Sequence, residues 1–397
     1  MPLREHMPLR ATITLGVVPI VGFGVWFYGY GVLLEPIRED TGWSEAVLSS
    51  TYGLSLLGAG VLATLAGRWL HRRGSRVVYA IGSGTVLVSY LLTAAAESEL
   101  TFAVAGGAAG SVTGALGYYA AVHTVIAQLV PDARRARAIT INTLWGAFAS
   151  PIFLPLMAWL VLRLDWRPTL QVAGVAVSGA FLSAAVLVPD SRDADEMWFS
   201  LRTAFTVVGR DRTVLALLAT TCAGGFGMSV LILYQVPVML AGGLTLGMAS
   251  GLAGARGFLQ LAGRIPIPWL IRRFGSRTTL RLALVLTVVS CLILPFAGNL
   301  LIAVSFALVA GLAIGALVPG ESILSAEAAP DHSLGIVFGL ASLTRGIGSA
   351  LGPLLGGTLT AAVGTRTPGL LVAALVVGGA ALLVPPPRAT ASGAPSE

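Results

Sequence analysis

The stretch RRGSR at residues 72–76 returns as RRFGSR at residues 272–277, and each copy directly follows a long apolar run. A second pair of motifs behaves in the same way, since Pro131-Asp132 is matched by Pro330-Asp331. Both motifs recur after about 200 residues, and self-similarity at one fixed spacing indicates an internal duplication. The sequence therefore predicts two related halves.

Apolar runs recur along the whole chain, each about 20 residues long, which is the length that a helix needs to cross the hydrocarbon core. Hydrophobic residues make up 55% of the 397 residues and charged residues only 11%, and the mean hydropathy is +0.84. A soluble domain needs more charge to cover its surface. We therefore predict an all-α membrane protein with 12 transmembrane helices in two six-helix pseudo-repeats. The predicted spans are 11–34, 45–66, 77–96, 100–127, 138–161, 168–188, 213–239, 246–270, 279–297, 300–328, 334–362 and 367–385.

Polar segments between and after these spans predict the domain boundaries. We expect an N-terminal six-helix half at 1–188, a cytoplasmic linker at 189–212, a C-terminal six-helix half at 213–385 and a disordered cytoplasmic tail at 386–397. The tail is polar and rich in proline, a composition typical of disorder. Parallel halves of six spans are typical of transporters whose binding site lies at the midplane between the halves.

The arginines predict the orientation of the chain. All 25 basic residues are arginine, and most of them lie in alternate loops. The opposite loops hold only Arg38, Arg163, Arg167 and Arg366. By the positive-inside rule, both termini are expected to be cytoplasmic in the inner membrane of a bacterium. Nucleic acid is not an expected partner, because no solvated basic face interleaved with aromatic residues is present.

The segment GRWLHRRGSR, residues 67–76, resembles the signature loop of the major facilitator superfamily. That signature has a glycine, three residues, an acid, a basic residue, and then a glycine with further basic residues. Basic side chains near a helix C-terminus interact favourably with its carbonyl groups and with lipid headgroups. The resemblance implies the twelve-helix transporter fold and a gating loop that contains Gly67, His71, Arg72, Gly74 and Arg76. His71 stands where the family has the acid that helps to lock the cytoplasmic gate.

Four shorter stretches resemble the monocarboxylate and oxalate/formate transporters of that superfamily, at 74–82, 31–44, 260–264 and 344–346. The resemblance implies that Arg264, in an eighth-helix motif, holds the substrate carboxylate. It also places Arg345 where the oxalate/formate group carries a lysine. The first-helix lysine of the monocarboxylate group is missing, and Tyr28 lies near its expected place.

Ionisable side chains inside spans cost about 2.5–3.5 kcal/mol each on insertion scales, so they indicate function. The predicted spans hold five candidates, which are Arg256, Arg264, Arg345, Glu321 and His123. Arg256, Gln260 and Arg264 are spaced by four and share one helix face. Three arginines and one glutamate leave a positive interior. Such an interior suits an anion, since a guanidinium binds a carboxylate bidentately.

Each candidate has an alternative interpretation. The arginines could be structural, neutralised by Glu321 and by free carbonyls beside prolines. Glu321 is either a proton carrier or a counter-ion. His123 is either a proton relay or a packed, neutral residue. Tyr28 and Tyr119 are candidate aromatic residues of the cavity, although most aromatics in spans pack or act as interface anchors.

These observations predict a secondary active transporter for a small, monocarboxylate-like organic anion. It would work by alternating access in the lipid bilayer, with proton coupling or exchange, and as a monomer. The alternative within transport is efflux of drugs or of neutral or acidic metabolites. The sequence has no metal-ligand cluster, nucleophile–base pair or phosphate-binding loop, so we expect neither an enzyme nor a cofactor.

Overall fold

The computed structural model describes residues 8–190, 211–329 and 334–386, and these ranges contain twelve long helical segments and no strand. Ten of the twelve are long and apolar enough to cross a membrane. The other two are α8 and α12, and α12 is a 17-residue apolar helix. The helices are α1 Leu9–Thr41, α2 Glu45–Arg73, α3 Ser75–Ala94, α4 Glu99–Leu129, α5 Ala133–Leu164, α6 Trp166–Leu187, α7 Arg212–Ala241, α8 Leu246–Arg264, α9 Ile267–Phe296, α10 Leu300–Ala328, α11 Leu334–Val363 and α12 Thr367–Leu383.

The same helix pairings occur twice, which confirms the predicted pseudo-repeat. α2 packs on α4 and α3 packs on α6; six helices later, α8 packs on α10 and α9 packs on α12. Glycines bring the first pair of each half close together. A Cβ added to Gly110 of α4 would lie 2.7 Å from the Cβ of Ser55 on α2, and one added to Gly311 of α10 would lie 2.8 Å from the carbonyl oxygen of Arg256 on α8.

The duplicated RRGSR motif forms the same backbone turn in both halves. Gly74 has φ +86° and Gly275 has φ +81°, a region that favours glycine because it has no Cβ. Gly74 separates α2 from α3, whereas Gly275 lies inside α9. The predicted eighth span, 246–270, is wrong at its end. α8 stops at Arg264, and the chain is helical again from Ile267, where α9 begins.

The predicted gating loop is also more helical than expected. Gly67, His71 and Arg72 lie on the last turns of α2, because its backbone hydrogen bonds continue to Gly74 after the apolar stretch has ended. Apolar patterning therefore placed the end of the second span too early. The predicted linker and tail fall almost wholly outside the described residues, as does the Pro330-Asp331 motif.

The two halves contact each other towards one end of the bundle. A Cβ added to Gly53 of α2 would lie 2.5 Å from the carbonyl oxygen of Ala350 on α11, and Gly357 of α11 lies equally close to Ser49 of α2. α5 also packs on α8. These contacts lie between the middle of the spans and the end of the bundle at which Arg366 is found. We call that side the Arg366 end, and the side where α2 finishes the Arg72 end.

Candidate functional site

A π-helical turn interrupts α1 in the middle of its span, at Phe23–Tyr28. It is closed by a hydrogen bond from the backbone N–H of Gly29 to the carbonyl oxygen of Gly24, at 3.0 Å. α1 touches α4 directly before this turn, because a Cβ added to Gly22 would lie 2.9 Å from the Cα of Gly117. Turns of this type are frequent at functional sites.

α4 is interrupted next to the same contact, at Tyr118, whose backbone is extended with φ −86° and ψ 176°. The two irregular turns together place four aromatic rings side by side. The ring of Phe23 stacks on Tyr118 with centroids 4.2 Å apart, and its centroid lies 4.9 Å from Tyr119 and 6.5 Å from Tyr28. We call Phe23, Tyr28, Tyr118 and Tyr119 the aromatic wall. All four side chains are only partly buried.

The second half contributes a row of polar side chains on α8, formed by Arg256, Gln260 and Arg264, which we call the α8 polar stripe. Arg256 is only 1% exposed, and its Nε donates a hydrogen bond to Oε1 of Gln235 on α7 at 2.8 Å. Within the described ranges, neither terminal nitrogen of Arg256 has a hydrogen-bond partner. The same holds there for Nε2 of Gln260 and for Nε of Arg264.

The aromatic wall and the α8 polar stripe face each other across the two halves. The guanidinium carbon of Arg256 lies 5.6 Å from the ring centroid of Tyr28, and Arg264 is close enough to Tyr119 to interact with it electrostatically. The backbone of α8 is held in place behind the stripe, where Gly315 of α10 lies against the carbonyl of Gln260. The site therefore has one apolar, aromatic side and one cationic side.

The other candidate arginine is neutralised within the second half. Arg345 of α11 forms an ion pair with Glu321 of α10, with side chains 21% and 1% exposed, respectively. Glu321 also lies against Gly224 of α7. Within the described part of the chain, Arg256 and Arg264 form no ion pair. The positive charge of the α8 polar stripe is therefore balanced by no carboxylate among the described residues, whereas Glu321 balances the charge of Arg345.

His123 is attached to the aromatic wall. Its ring stacks on Tyr119 with centroids 5.2 Å apart, and the Tyr119 hydroxyl donates a hydrogen bond to the carbonyl oxygen of Thr143 at 3.1 Å. Among the described residues, the buried Nε2 of His123 has no hydrogen-bond partner.

The residues of the signature motif connect neighbouring helices at the Arg72 end. Nδ1 of His71 lies 3.0 Å from Nε2 of Gln128 on α4, so an amide contacts the position at which the family carries its acid. The backbone N–H of Arg76 donates to Oδ1 of Asp190 after α6, at 3.2 Å. Elsewhere in the motif, Gly67 is half-buried, and the exposed residues are Arg68, Trp69, Arg72 and Arg73.

A charged cluster at the Arg366 end was not recognised from the sequence. Arg366 donates from Nε to Oε1 of Glu45 at 2.9 Å and from Nη2 to Oε2 of Glu45 at 2.8 Å. Nη2 also donates to Glu35 at 2.6 Å, and Glu35 pairs with Arg38. We call these four residues the Arg366 cluster. Residues 45 and 366 are 321 positions apart, so no local spacing could have indicated the pair.

The pKa of Arg366 reflects this environment. Burial by itself lowers the pKa, but the hydrogen bonds and charges of Glu45, and then of Glu35, outweigh burial and raise the pKa above its ordinary value. Since the folded-state pKa is raised, the stabilisation is fully present below the ordinary arginine pKa and is lost only at higher pH. The guanidinium of Arg366 therefore stays charged throughout the physiological pH range.

Comparisons with known proteins agree with the fold. The family model of the Major Facilitator Superfamily matches residues 16–257 and 216–397. No curated protein sequence matches the chain. Similar solved structures include the nucleoside transporter NupG, with a TM-score of 0.76 and 14% identity over 94% of this chain and 98% of that one. A D-xylose-proton symporter has a TM-score of 0.70 and 16% identity, over 94% of this chain and 97% of that one.

A third similar structure is a bacterial homologue of the human lysosomal transporter Spinster in an inward-facing, unoccupied conformation. It has a TM-score of 0.70 and 15% identity, over 95% of each chain. At such identities the likeness shows the fold alone. The family model, by contrast, covers nearly the whole chain, and the twelve helices with their repeated pairings have the matching architecture. The chain is therefore a multi-pass membrane protein that belongs to the Major Facilitator Superfamily of transporters.

Proposed function

We propose that this transporter carries a small organic anion, and that the α8 polar stripe binds its carboxylate. The observation that carries the proposal is the buried guanidinium of Arg256, whose two terminal nitrogens have no partner among the described residues. A buried cation without a counter-charge is costly. Removing one partner of a buried ion pair, which leaves the other charge uncompensated, typically costs about 3–5 kcal/mol. A carboxylate bound between α1 and α8 would supply both the acceptors and the compensating charge.

The distribution of charge favours an anion over other substrates. Glu321 neutralises Arg345, so the excess positive charge lies on Arg256 and Arg264. A cationic substrate would be repelled there, and a neutral one would leave the charge uncompensated. The resemblance of residues 260–264 to a carboxylate-binding motif supports the same role for Arg264, while Arg345 is better explained as half of a structural pair.

The contacts between the halves support alternating access. The Arg366 end is closed by the α2–α11 contact and by the Arg366 cluster, whereas Arg264, Tyr119 and His123 are partly exposed nearer the Arg72 end. With the Arg72 end cytoplasmic, as the arginine distribution indicates, this arrangement corresponds to an inward-facing state in the inner membrane. We assign His123 as the candidate proton relay and Glu321 as the counter-ion of Arg345.

The test is substrate binding and counterflow in wild-type protein and in Arg256→Ala, Arg256→Lys and Arg264→Ala. Purified protein would be assayed for thermal stabilisation by lactate, pyruvate, oxalate and formate, and proteoliposomes for exchange of the labelled compounds. Hydrogen bonds to charged groups contribute about 1.5–3 kcal/mol each, so losing two should weaken binding by about 100-fold or more. Arg256→Lys should also fail, because an ammonium lacks the planar fork.

Arg163→Ala is the matched control, since Arg163 is an exposed arginine in the last turn of α5. It should bind and transport as wild type does. Arg264→Ala removes a partly exposed side chain, so it keeps the test interpretable if Arg256→Ala does not fold. Carboxylate transport that survives both substitutions would show that the stripe is structural, and a preference for a nucleoside or a sugar would show that the substrate is neutral.

A further inference from the structure

We infer that the transported anion is an aromatic carboxylate, whose ring packs on the aromatic wall while its carboxylate binds the α8 polar stripe. The inference rests on the proposed function and adds the chemical nature of the rest of the substrate. It comes from the arrangement of the two sides of the site, which are contributed by different halves and differ in character. One side is a row of cationic and amide donors, and the other consists of four adjacent rings.

The rings of the aromatic wall differ from the aromatic residues that pack the same half. Trp26, Tyr30 and Tyr52 are at most 1% exposed, and each donates a hydrogen bond to a neighbouring helix. The four rings of the wall remain partly exposed, although they lie in the middle of their spans. Among the described residues, the buried hydroxyl of Tyr118 also has no hydrogen-bond partner. The wall therefore has accessible ring surface and one buried hydroxyl without a partner among the described residues.

Both irregular turns serve to present this surface. Hydrogen bonds between residues five apart place such residues one above the other along a helix, so the π turn puts Phe23 and Tyr28 on the same face of α1. The break in α4 turns Tyr118 towards that face, where it stacks on Phe23. A regular helix in either place would separate these rings.

The cationic side of the site adjoins the aromatic wall at Tyr28. Arg256 lies 5.6 Å from the ring centroid of Tyr28, and Tyr28 lies 6.5 Å from Phe23. Aromatic rings pair with centroids about 4.5–7 Å apart, so a ring that packs on the wall can hold a directly attached carboxylate against the stripe. Formate, oxalate or acetate would pair with the stripe but would leave the apolar wall facing water.

The experiment compares benzoate, cyclohexanecarboxylate, acetate and benzamide as ligands of the purified full-length protein. Dissociation constants would be measured by calorimetry and by thermal stabilisation. We expect benzoate to bind at least about tenfold more tightly than acetate, because it also buries a ring. It should bind more tightly than cyclohexanecarboxylate, which has a similar size but no aromatic face. Benzamide, which keeps the ring without the charge, should bind weakly.

Phe23→Leu tests the wall itself, and Phe102→Leu is its matched control. Phe102 is fully buried against Trp43 and Trp166 near the Arg366 end, away from the site. Phe23→Leu should lower the ratio of benzoate affinity to acetate affinity several-fold, and Phe102→Leu should leave that ratio unchanged. An unchanged ratio in Phe23→Leu would show that the wall only packs the helices, and would overturn the inference.

The outcomes separate this inference from the proposed function. Equal affinities for benzoate and acetate, both abolished by Arg256→Ala, would overturn the aromatic substrate and leave the anion transporter in place. Benzamide binding as tightly as benzoate, with no effect of Arg256→Ala on either, would overturn the anion site and the inference with it.

Discussion

Arg366 of the α11–α12 loop and Glu45 of α2 are joined by two parallel hydrogen bonds, from Nε to Oε1 at 2.9 Å and from Nη2 to Oε2 at 2.8 Å. This is the bidentate geometry in which arginine binds carboxylates most strongly. The two residues come from different halves, and both side chains are nearly buried. The pair therefore connects the halves at the end of the bundle that is closed.

We predict that Glu45→Gln destabilises the closed Arg366 end. Removing one partner of a buried pair typically costs about 3–5 kcal/mol. The hydrogen bond of Arg366 to Glu35 will replace only part of the lost stabilisation. The measurement is thermal unfolding in detergent, together with a double-mutant cycle of Glu45→Gln and Arg366→Gln. Arg38→Gln is the control, because Arg38 is 47% exposed and surface pairs contribute about 0–1 kcal/mol. Equal effects of Glu45→Gln and Arg38→Gln would contradict the prediction.

A second prediction concerns the ion pair of Arg345 and Glu321. Glu321→Gln should lower both thermal stability and substrate exchange, because it leaves the Arg345 charge without its partner between α10 and α11. The double substitution Glu321→Gln, Arg345→Met should recover stability, since it removes both charges. Uphill uptake driven by a pH gradient is measured alongside exchange. Loss of uphill uptake with exchange intact would instead identify Glu321 as the proton carrier.

A third prediction concerns orientation. Thr365 is exposed at the Arg366 end and Arg73 is exposed at the Arg72 end, so single cysteines at these positions report the two sides of the membrane. The background would carry Cys222→Ser and Cys291→Ser. We expect an impermeant thiol reagent to label Thr365→Cys on intact cells and to label Arg73→Cys only after permeabilisation, because of the arginine distribution. The opposite pattern would reverse the proposed topology.

A fourth prediction concerns the support of the α8 polar stripe. Gly315→Ala would force the new Cβ against the carbonyl oxygen of Gln260 and so displace α8. Overpacking of this kind typically costs about 1–3 kcal/mol, so we expect a lower unfolding temperature and weaker anion binding. Gly107→Ala is the control on α4, because a Cβ there has open space around it. An anion affinity unchanged in Gly315→Ala would show that the glycine does not position the stripe.

The fold was largely predictable because its signals are periodic. The return of RRGSR (residues 72–76) as RRFGSR (residues 272–277) indicated the duplication, and the spacing of Arg256, Gln260 and Arg264 indicated one shared face. Helix ends were less predictable, since hydropathy falls at the membrane surface while backbone hydrogen bonding continues, as it does to Gly74.

The aromatic wall and the Arg366 cluster could not be predicted from spacing. A regular helix places Phe23 and Tyr28 on different faces, and the sequence contains no signature of the π turn that aligns them. Tyr118 joins them only through the break in α4. Glu45 and Arg366 meet only because the two halves close at one end, which depends on the tertiary structure rather than on either local segment.

The glycines of the α2–α11 contact have a consequence for the speed of the transport cycle. Gly53 and Gly357 have no rotamers, so separating these helices and bringing them together changes the side-chain entropy of the contact very little. In the alternating access that we propose, we therefore expect the ionic contacts of the Arg366 cluster to contribute more to the free-energy difference between the two access states than these glycines do. Single substitutions there should change the rate of the cycle without altering which substrate it carries.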